Sequence, residues 1–126
     1  SAMNGADSND REKIVRAFGS IGSEAHPYLI DALSDSVKGV QLAALQGLTL
    51  DSSETLMLKL IEMAEHSDPD VRLAAVDAMQ RFSDGRVVAP LVAALDDDDS
   101  RVARQARRSL DHLESVVASK GTVSDQ

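Results

Sequence analysis

The chain of 126 residues has room for one domain with an apolar core, because 43% of its residues are hydrophobic. Its formal net charge of −8 opposes binding to the phosphate backbone of nucleic acids. The lack of cysteine excludes disulfides, thiolate chemistry and cysteine-bound zinc, and since it fits a reducing compartment we expect a cytoplasmic location. No apolar run approaches the roughly 20 residues that a membrane-spanning helix needs, so we expect no membrane contact.

Both ends of the chain are polar. Residues 1–8 and 119–126 are rich in Ser, Asp, Gly and Asn, and we predict that both are disordered around a folded domain at 9–118. Ser1-Ala2-Met3 resembles a cloning remnant, so a targeting segment or another domain could precede the chain in the natural protein.

Apolar residues at helical spacing predict three helix pairs and a final single helix. Ala, Leu, Val, Ile and Met dominate, as is typical of packed helices, and strand-like alternation is absent, so we predict an all-α fold. Asp68-Pro69-Asp70 predicts a helix start, and Pro27 and Pro90 fall in opening turns, where a missing N–H donor costs least. In chain order the predicted helices are 10–20 with 24–34, 36–49 with 52–66, 68–82 with 84–95, and 99–118.

A period of thirty-one residues relates these pairs. The segment VQLAALQGL at 40–48 aligns with VRLAAVDAM at 71–79, and a third copy begins at Val102. A fixed period of this length is typical of stacked helical units that shelter each other's apolar sides, so we expect the repeating apolar columns to be buried. On the second helices these columns are Leu29, Leu60 and Leu91, then Ile30, Ile61 and Val92, then Leu33, Ala64 and Leu95.

The third pair resembles the HEAT-like repeat first described in phycobilisome lyases. The segments SDPDVRLAAVDAM at 67–79 and DGRVVAPLVAAL at 84–95 carry the resemblance, which covers residues 10–113. It implies a right-handed, armadillo-like α-solenoid of about three and a half helix pairs, used as a binding surface. In that family an Asp of the turn and a following Arg form a hydrogen-bonded ladder, and the matching positions are Asp68 or Asp70 with Arg72. Gln41 and Ala103 interrupt the ladder, although Arg101 or Arg104 could replace Ala103.

The acidic run Asp96–Asp99 has two interpretations. It could bind a divalent cation or a basic partner, but the spacing of a calcium-binding loop is absent. We favour a turn whose carboxylates cap the last helix and meet Arg101 and Arg104.

The last helix carries four arginines that could bind phosphate or an acidic peptide. We favour internal pairing with the aspartate run and with two acids further along the helix. No aromatic residues interleave to stack bases, so we expect no nucleic-acid partner. The arginines are Arg101, Arg104, Arg107 and Arg108, and the two acids are Asp111 and Glu114.

No catalytic, cofactor-binding or metal-binding motif is present, and we predict a protein that is not an enzyme and holds neither cofactor nor metal. The three histidines, His26, His66 and His112, lie far apart in the sequence, and we interpret them as structural or exposed.

In HEAT-type stacks the second helices line the concave face. If the repeating columns are buried, a mildly acidic strip faces outward, and we predict that it contacts a protein partner; ordinary solvated surface is the alternative. This acidic strip comprises Tyr28, Asp31, Lys59, Glu62, Glu65 and Asp96, with Pro90 and Ala93 between them. Leu56, Met57 and Leu58 make the middle helix apolar nearly all round, which indicates either deep burial or a contact patch.

We therefore predict a non-catalytic scaffold for protein–protein interaction, a module of a larger protein. Its end faces would be covered by the last helix, by further domains or by self-association. The resemblance also implies an alternative, an accessory or lyase-like protein that handles a tetrapyrrole, although the chain has neither Cys nor Trp. A DNA-damage recognition solenoid would need a basic groove, which the acidic balance opposes.

Overall fold

Helices follow one another in the order that the sequence predicts. The computed structural model describes residues 8–19, 23–48 and 53–124, and every regular element in those ranges is helical. The elements are α1 (Ser8–Gly19), α2 (His26–Ala32) after a 3₁₀ turn (Ser23–Ala25), α3 (Lys38–Gly47), α4 (Glu54–Met63), α5 (Pro69–Met79), α6 (Val88–Ala94) after a second 3₁₀ turn (Gly85–Val87), and α7 (Ser100–Ser124).

The last helix is longer than predicted. We expected disorder over 119–126, but α7 continues to Ser124. The segment after the last repeat contains Leu, Glu, Ala and Lys, which favour helix, and no proline interrupts it. Ser8, which we also predicted to be disordered, opens α1, while residues 1–7 and 125–126 lie outside the described ranges.

The helices divide into two compact units, Ser1–Lys59 and Leu60–Gln126, with the boundary inside α4. In the first unit, α1 and α2 both pack on α3. Aliphatic side chains from the three helices and the turn after α2 fill its core, and all of them are buried. They include Val15, Leu29, Ala32, Leu33, Val40 and Ala44.

In the second unit, α5 and α6 pack on α7. A polar contact also ties α7 to α5, because the buried Ser109 hydroxyl donates to the Val76 carbonyl oxygen over 2.9 Å. The same hydroxyl oxygen accepts from the Gln105 amide at 3.3 Å, so its hydrogen-bonding capacity is used inside the unit. The apolar core includes Val71, Ala75, Met79, Val87, Leu91, Val102 and Ala106.

One predicted core column is correct and its neighbour is wrong. Leu29, Leu60 and Leu91 are fully buried, as the repeat predicts. Ile30 and Ile61 are only half-buried, and Val92 leaves 49% of its surface exposed. Successive side chains on a helix point about 100° apart, so a helix that buries its leucine turns the next side chain away from the core.

The apolar residues at the start of the middle helix differ in burial. Leu56 and Met57 are buried, whereas Leu58 is 48% exposed. Since α4 begins in the first unit, all three side chains belong to that unit.

The predicted cap of α5 forms as expected. Asp68 has extended backbone geometry, its carboxylate accepts from the Asp70 backbone N–H at 2.8 Å, and Pro69 is the first helical residue. The side chain thus satisfies one of the amide groups that a helix start leaves without a partner.

Replacing Asp68 with Ala is therefore expected to lower the free energy of unfolding by about 1 kcal/mol. Asp68→Asn keeps the oxygen acceptor and should recover most of that loss. A urea titration followed by circular dichroism measures the free energy of unfolding of both variants. If the two variants lose the same amount, Asp68 stabilises the protein through its charge and not through the cap.

Candidate functional site

A bidentate ion pair joins the turn after α6 to the first turn of α5. Arg72 Nε donates to Asp97 Oδ2 at 2.9 Å, and its Nη2 donates to Asp97 Oδ1 at 3.0 Å. Nη1 donates to the His66 and Ser67 carbonyl oxygens at 2.9 and 3.1 Å. The ladder prediction named the wrong acids for Arg72, because Asp68 caps α5 and Asp70 pairs with Arg101 at 3.0 Å.

The Arg72–Asp97 pair is largely shielded from water, with side-chain exposures of 14% and 11%. The hydrogen bond to Arg72 is the main cause of a lowered pKa of Asp97, and the same hydrogen bond raises the pKa of Arg72. Both side chains therefore remain charged in the folded protein over the neutral range.

The first unit contains an equivalent pair. Arg11 donates to both carboxylate oxygens of Asp35 at 2.9 and 3.2 Å. Asp35 also accepts from the Val37 backbone N–H, as Asp97 does from the Asp99 backbone N–H. His66 stands midway between these aspartates in the repeat, and its Nδ1 accepts from the Asp68 backbone N–H at 2.9 Å. An acceptor that recurs every thirty-one residues is the sequence signal for these turns, and the ladder prediction overlooked it.

The acidic run caps α7, as we favoured from the sequence. Asp99 accepts from the Arg101 backbone N–H at 2.8 Å, and its other oxygen pairs with the Arg101 guanidinium at 3.0 Å. The side-chain hydrogen bond from Arg101, followed by the backbone one, lowers the pKa of Asp99 to about 2. The predicted contact with Arg104 does not form, because the Arg104 guanidinium donates to the Ser100 carbonyl oxygen.

The described ranges contain neither a metal cluster nor a membrane span. No group of three or more acidic or imidazole side chains there could hold a metal ion. None of the helices described is long and apolar enough to cross a membrane.

The two units divide the predicted acidic strip. Tyr28, Asp31 and Lys59 belong to the first unit, and Glu62, Glu65 and Asp96 to the second. All four acids of the strip are exposed and Lys59 is half-buried.

Tyr28, predicted to point outward, is half-buried. Its ring packs against Phe18 with centroids 4.6 Å apart, and its buried hydroxyl has no hydrogen-bond partner among the described residues. The pKa of the Tyr28 hydroxyl is raised, mainly because the group is partly buried and to a smaller extent because of the negative charge of Asp31. Tyr28 is therefore only partly accessible to a partner.

An apolar groove lies between the end of α4 and α6, inside the second unit. Its volume is about 330 Å³. The groove remains open because most of the side chains around it are short or rigid. The Arg72–Asp97 pair contributes polar atoms to its wall. The other lining residues are Ile61, Ala64, Glu65, Pro90, Ala93 and Ala94.

Helix α6 has no polar side chain at all, although half of it faces water. Leu91 and Ala94 are buried, while Val88 and Val92, one turn apart, are 44% and 49% exposed. We call Val88, Ala89, Val92 and Ala93, all exposed, the α6 surface. Ala93 also lines the groove, so the two features are continuous. Sequence reasoning missed this surface because it assigned Val92 to the core.

The repeat architecture agrees with comparisons to known families. The family model for HEAT repeats matches residues 27–111, which is more than half of the chain. The chain belongs to the HEAT repeat family. A second model, for the PBS lyase HEAT-like repeat, matches residues 10–35, the first helix pair and not the third pair on which the resemblance was based. No curated protein is significantly similar to the chain. The helix pairs are therefore repeat units of an α-solenoid, as predicted.

Proposed function

We propose that this HEAT repeat protein is a non-catalytic protein–protein interaction module that binds a partner segment on the α6 surface and in the adjoining groove. Family membership supports the general role, since HEAT repeats generally mediate protein–protein interaction. The observation that carries the proposal is the α6 surface, where two valines one turn apart stay exposed in a chain whose net charge is −8. An exposed apolar patch with a polar rim is typical of a contact site.

Acidic residues near this surface indicate the character of the partner. Glu65 lines the groove, and Glu62 and Asp96 are exposed acids of the same unit. We propose that these three acids meet basic side chains, while an aliphatic side chain of the partner enters the groove. Tyr28, Asp31 and Lys59 remain proposed contacts on the first unit.

A peptide-display selection tests the proposal and does not require the partner to be identified. Peptides selected on the wild type are expected to combine aliphatic residues with Lys or Arg. Val92→Glu should weaken their binding by about tenfold or more, because it places a charge where an apolar side chain must dock. Fluorescence polarisation with labelled peptides measures the change.

Leu58→Glu is the matched control, because Leu58 is equally exposed but belongs to the other unit. It should leave the affinity unchanged. Selected peptides that bind Val92→Glu as tightly as the wild type would contradict the assignment of the α6 surface. Charge reversal at Glu62 and Glu65 should then distinguish basic from purely apolar partners.

The tetrapyrrole alternative has weaker support. The match to the PBS lyase HEAT-like repeat favours it, but the groove is lined by aliphatic, acidic and guanidinium side chains and offers neither an aromatic ring nor a thiol. Visible absorbance after mixing with a bilin checks this alternative; a shifted and intensified band would favour it over the interaction module.

A further inference from the structure

A second groove lies between α5 and α7, and none of its lining residues lines the groove beside α6. Its volume is about 540 Å³. The α5 side contributes acids at its edge and an apolar floor, whereas the α7 side contributes arginines and an amide. The lining residues are Asp70, Leu73, Ala74 and Asp77 from α5, and Arg101, Arg104, Gln105 and Arg108 from α7.

The charges along this groove are not balanced by internal pairing. Arg101 is neutralised by Asp70 and Asp99, both at 3.0 Å. Arg104 and Arg108 are exposed, and within the described residues neither forms an ion pair. The sequence favoured pairing of the arginines with the aspartate run and with Asp111 and Glu114. Arg101 does pair with Asp99, but among the described side chains no arginine pairs with Asp111 or Glu114. Two guanidinium groups one turn apart are thus available on one wall.

Side chains bridge the equivalent helices of the first unit. There Arg16 of α1 donates to Gln46 of α3 at 2.9 Å and pairs with Glu12 at 2.8 Å, which bridges the two helices. Two periods of thirty-one residues further on, Gln46 corresponds to Arg108 and Arg16 corresponds to Ala78, so the second unit lacks the arginine that makes this bridge. Asp77, next to Ala78, accepts from Gln80, and Arg108 is exposed. The cross-helix bridge of the first unit therefore has no counterpart between these residues of α5 and α7.

We infer that the α5–α7 groove binds an acidic peptide segment of a partner protein. Carboxylates of the segment accept from Arg104 and Arg108, for which paired N–H donors in a planar fork are well suited. An aliphatic side chain between those acids lies on Leu73 and Ala74, which are half-buried and form the apolar floor. The inference is independent of the α6 surface and would stand if that proposal failed.

Charge and composition favour a peptide over a nucleic acid. Asp70 and Asp77 flank the arginines across the groove, so a continuous phosphate backbone would meet carboxylates as well as guanidinium groups. No aromatic side chain lines the groove to stack a base. A peptide can place its acids against α7 alone and keep neutral residues toward α5.

The test uses a fluorescein-labelled synthetic peptide that alternates Glu with Leu, titrated with the whole chain at low salt in a polarisation assay. Wild type is expected to bind it, and Arg104→Gln combined with Arg108→Gln should weaken binding by about tenfold through loss of two charge-assisted contacts. Arg107→Gln, on the same helix but outside the groove, should change the affinity less than about twofold. Val92→Glu should leave it unchanged, which separates this site from the α6 surface.

Asp77→Asn gives an outcome that a folding defect cannot imitate. Removing this carboxylate from the opposite wall should strengthen binding of the acidic peptide by about two- to fivefold. If the double arginine variant loses helicity, the affinity of Asp77→Asn for the acidic peptide is the deciding measurement. An increased affinity supports binding in the groove, and an unchanged affinity overturns the inference. The inference is also overturned if the wild type and a folded double variant bind the peptide equally well. It is likewise overturned if a single-stranded oligonucleotide binds through these arginines and the peptide does not bind.

Discussion

Leu91→Ala is expected to lower the free energy of unfolding by about 2–5 kcal/mol. The Leu91 side chain is fully buried on α6, and it belongs to the leucine column that recurs in every repeat. Truncation removes its apolar contacts and leaves a cavity, because α6 is held on both sides by α5 and α7 and cannot collapse freely. Urea titration followed by circular dichroism measures the loss.

Val92→Ala is the matched control, since it truncates the adjacent residue of the same helix. Val92 is half exposed, so this change should cost no more than about 0.5 kcal/mol. A loss as large as that of Leu91→Ala would mean that α6 is rotated relative to the structure, and the α6 surface would then not exist. The comparison therefore tests the core and the proposed contact surface together.

The helices and the leucine column could be predicted because both depend on local periodicity. Each helix needs an apolar face, and the same face recurs every thirty-one residues, so one column of buried leucines follows. The second column could not be predicted in the same way. Ile30, Ile61 and Val92 also repeat and are also apolar, but which of two adjacent side chains is buried depends on how the helix is rotated against its neighbours.

The partner of Arg72 could not be predicted from the spacing of nearby residues in the sequence. The sequence offered Asp68 and Asp70 nearby, whereas the structure pairs Arg72 with Asp97, twenty-five residues away. Asp68 is unavailable because the α5 cap uses its carboxylate. The pairing forms because the second helix of a pair folds back along the first, which brings the turn after α6 to the start of α5, and the same holds for Arg11 of α1 with Asp35 after α2.

The candidate site was predicted in part. Exposure of Asp31, Glu62, Glu65 and Asp96 follows from the repeat pattern, and the structure places all four at the surface. The α6 surface was missed for a physical reason. The sequence pattern assigns an apolar residue of a short helix to the core, and it does not show whether a neighbouring element covers that residue. The sequence also indicated that the arginines of the α5–α7 groove could bind an acidic peptide, but internal pairing was favoured because acids nearby in the sequence were taken as partners in space.

Asp97→Asn is expected to lower the free energy of unfolding at neutral pH by about 1–3 kcal/mol, because it leaves the largely buried Arg72 without its counter-charge. Asp98→Asn is the control from the next position. Asp98 contacts the same guanidinium at 3.3 Å, but its side chain is 96% exposed, so its loss should stay within about 0.5 kcal/mol.

The dependence on pH distinguishes loss of the ion pair from a packing defect. Pairing with Arg72 lowers the pKa of Asp97 in the folded protein, so the stabilisation is fully present above the ordinary aspartate pKa of about 3.9 and disappears as the pH falls through the lowered value. The difference between wild type and Asp97→Asn should therefore be constant from neutral pH down to about 5 and should shrink in more acidic solution. Asp84 and Asp99, whose pKa values lie at about 2, titrate in both proteins and cancel in the difference. A difference that stays constant into strong acid would show that Asp97 acts through its shape and hydrogen bonds, and that the charge of the pair contributes nothing.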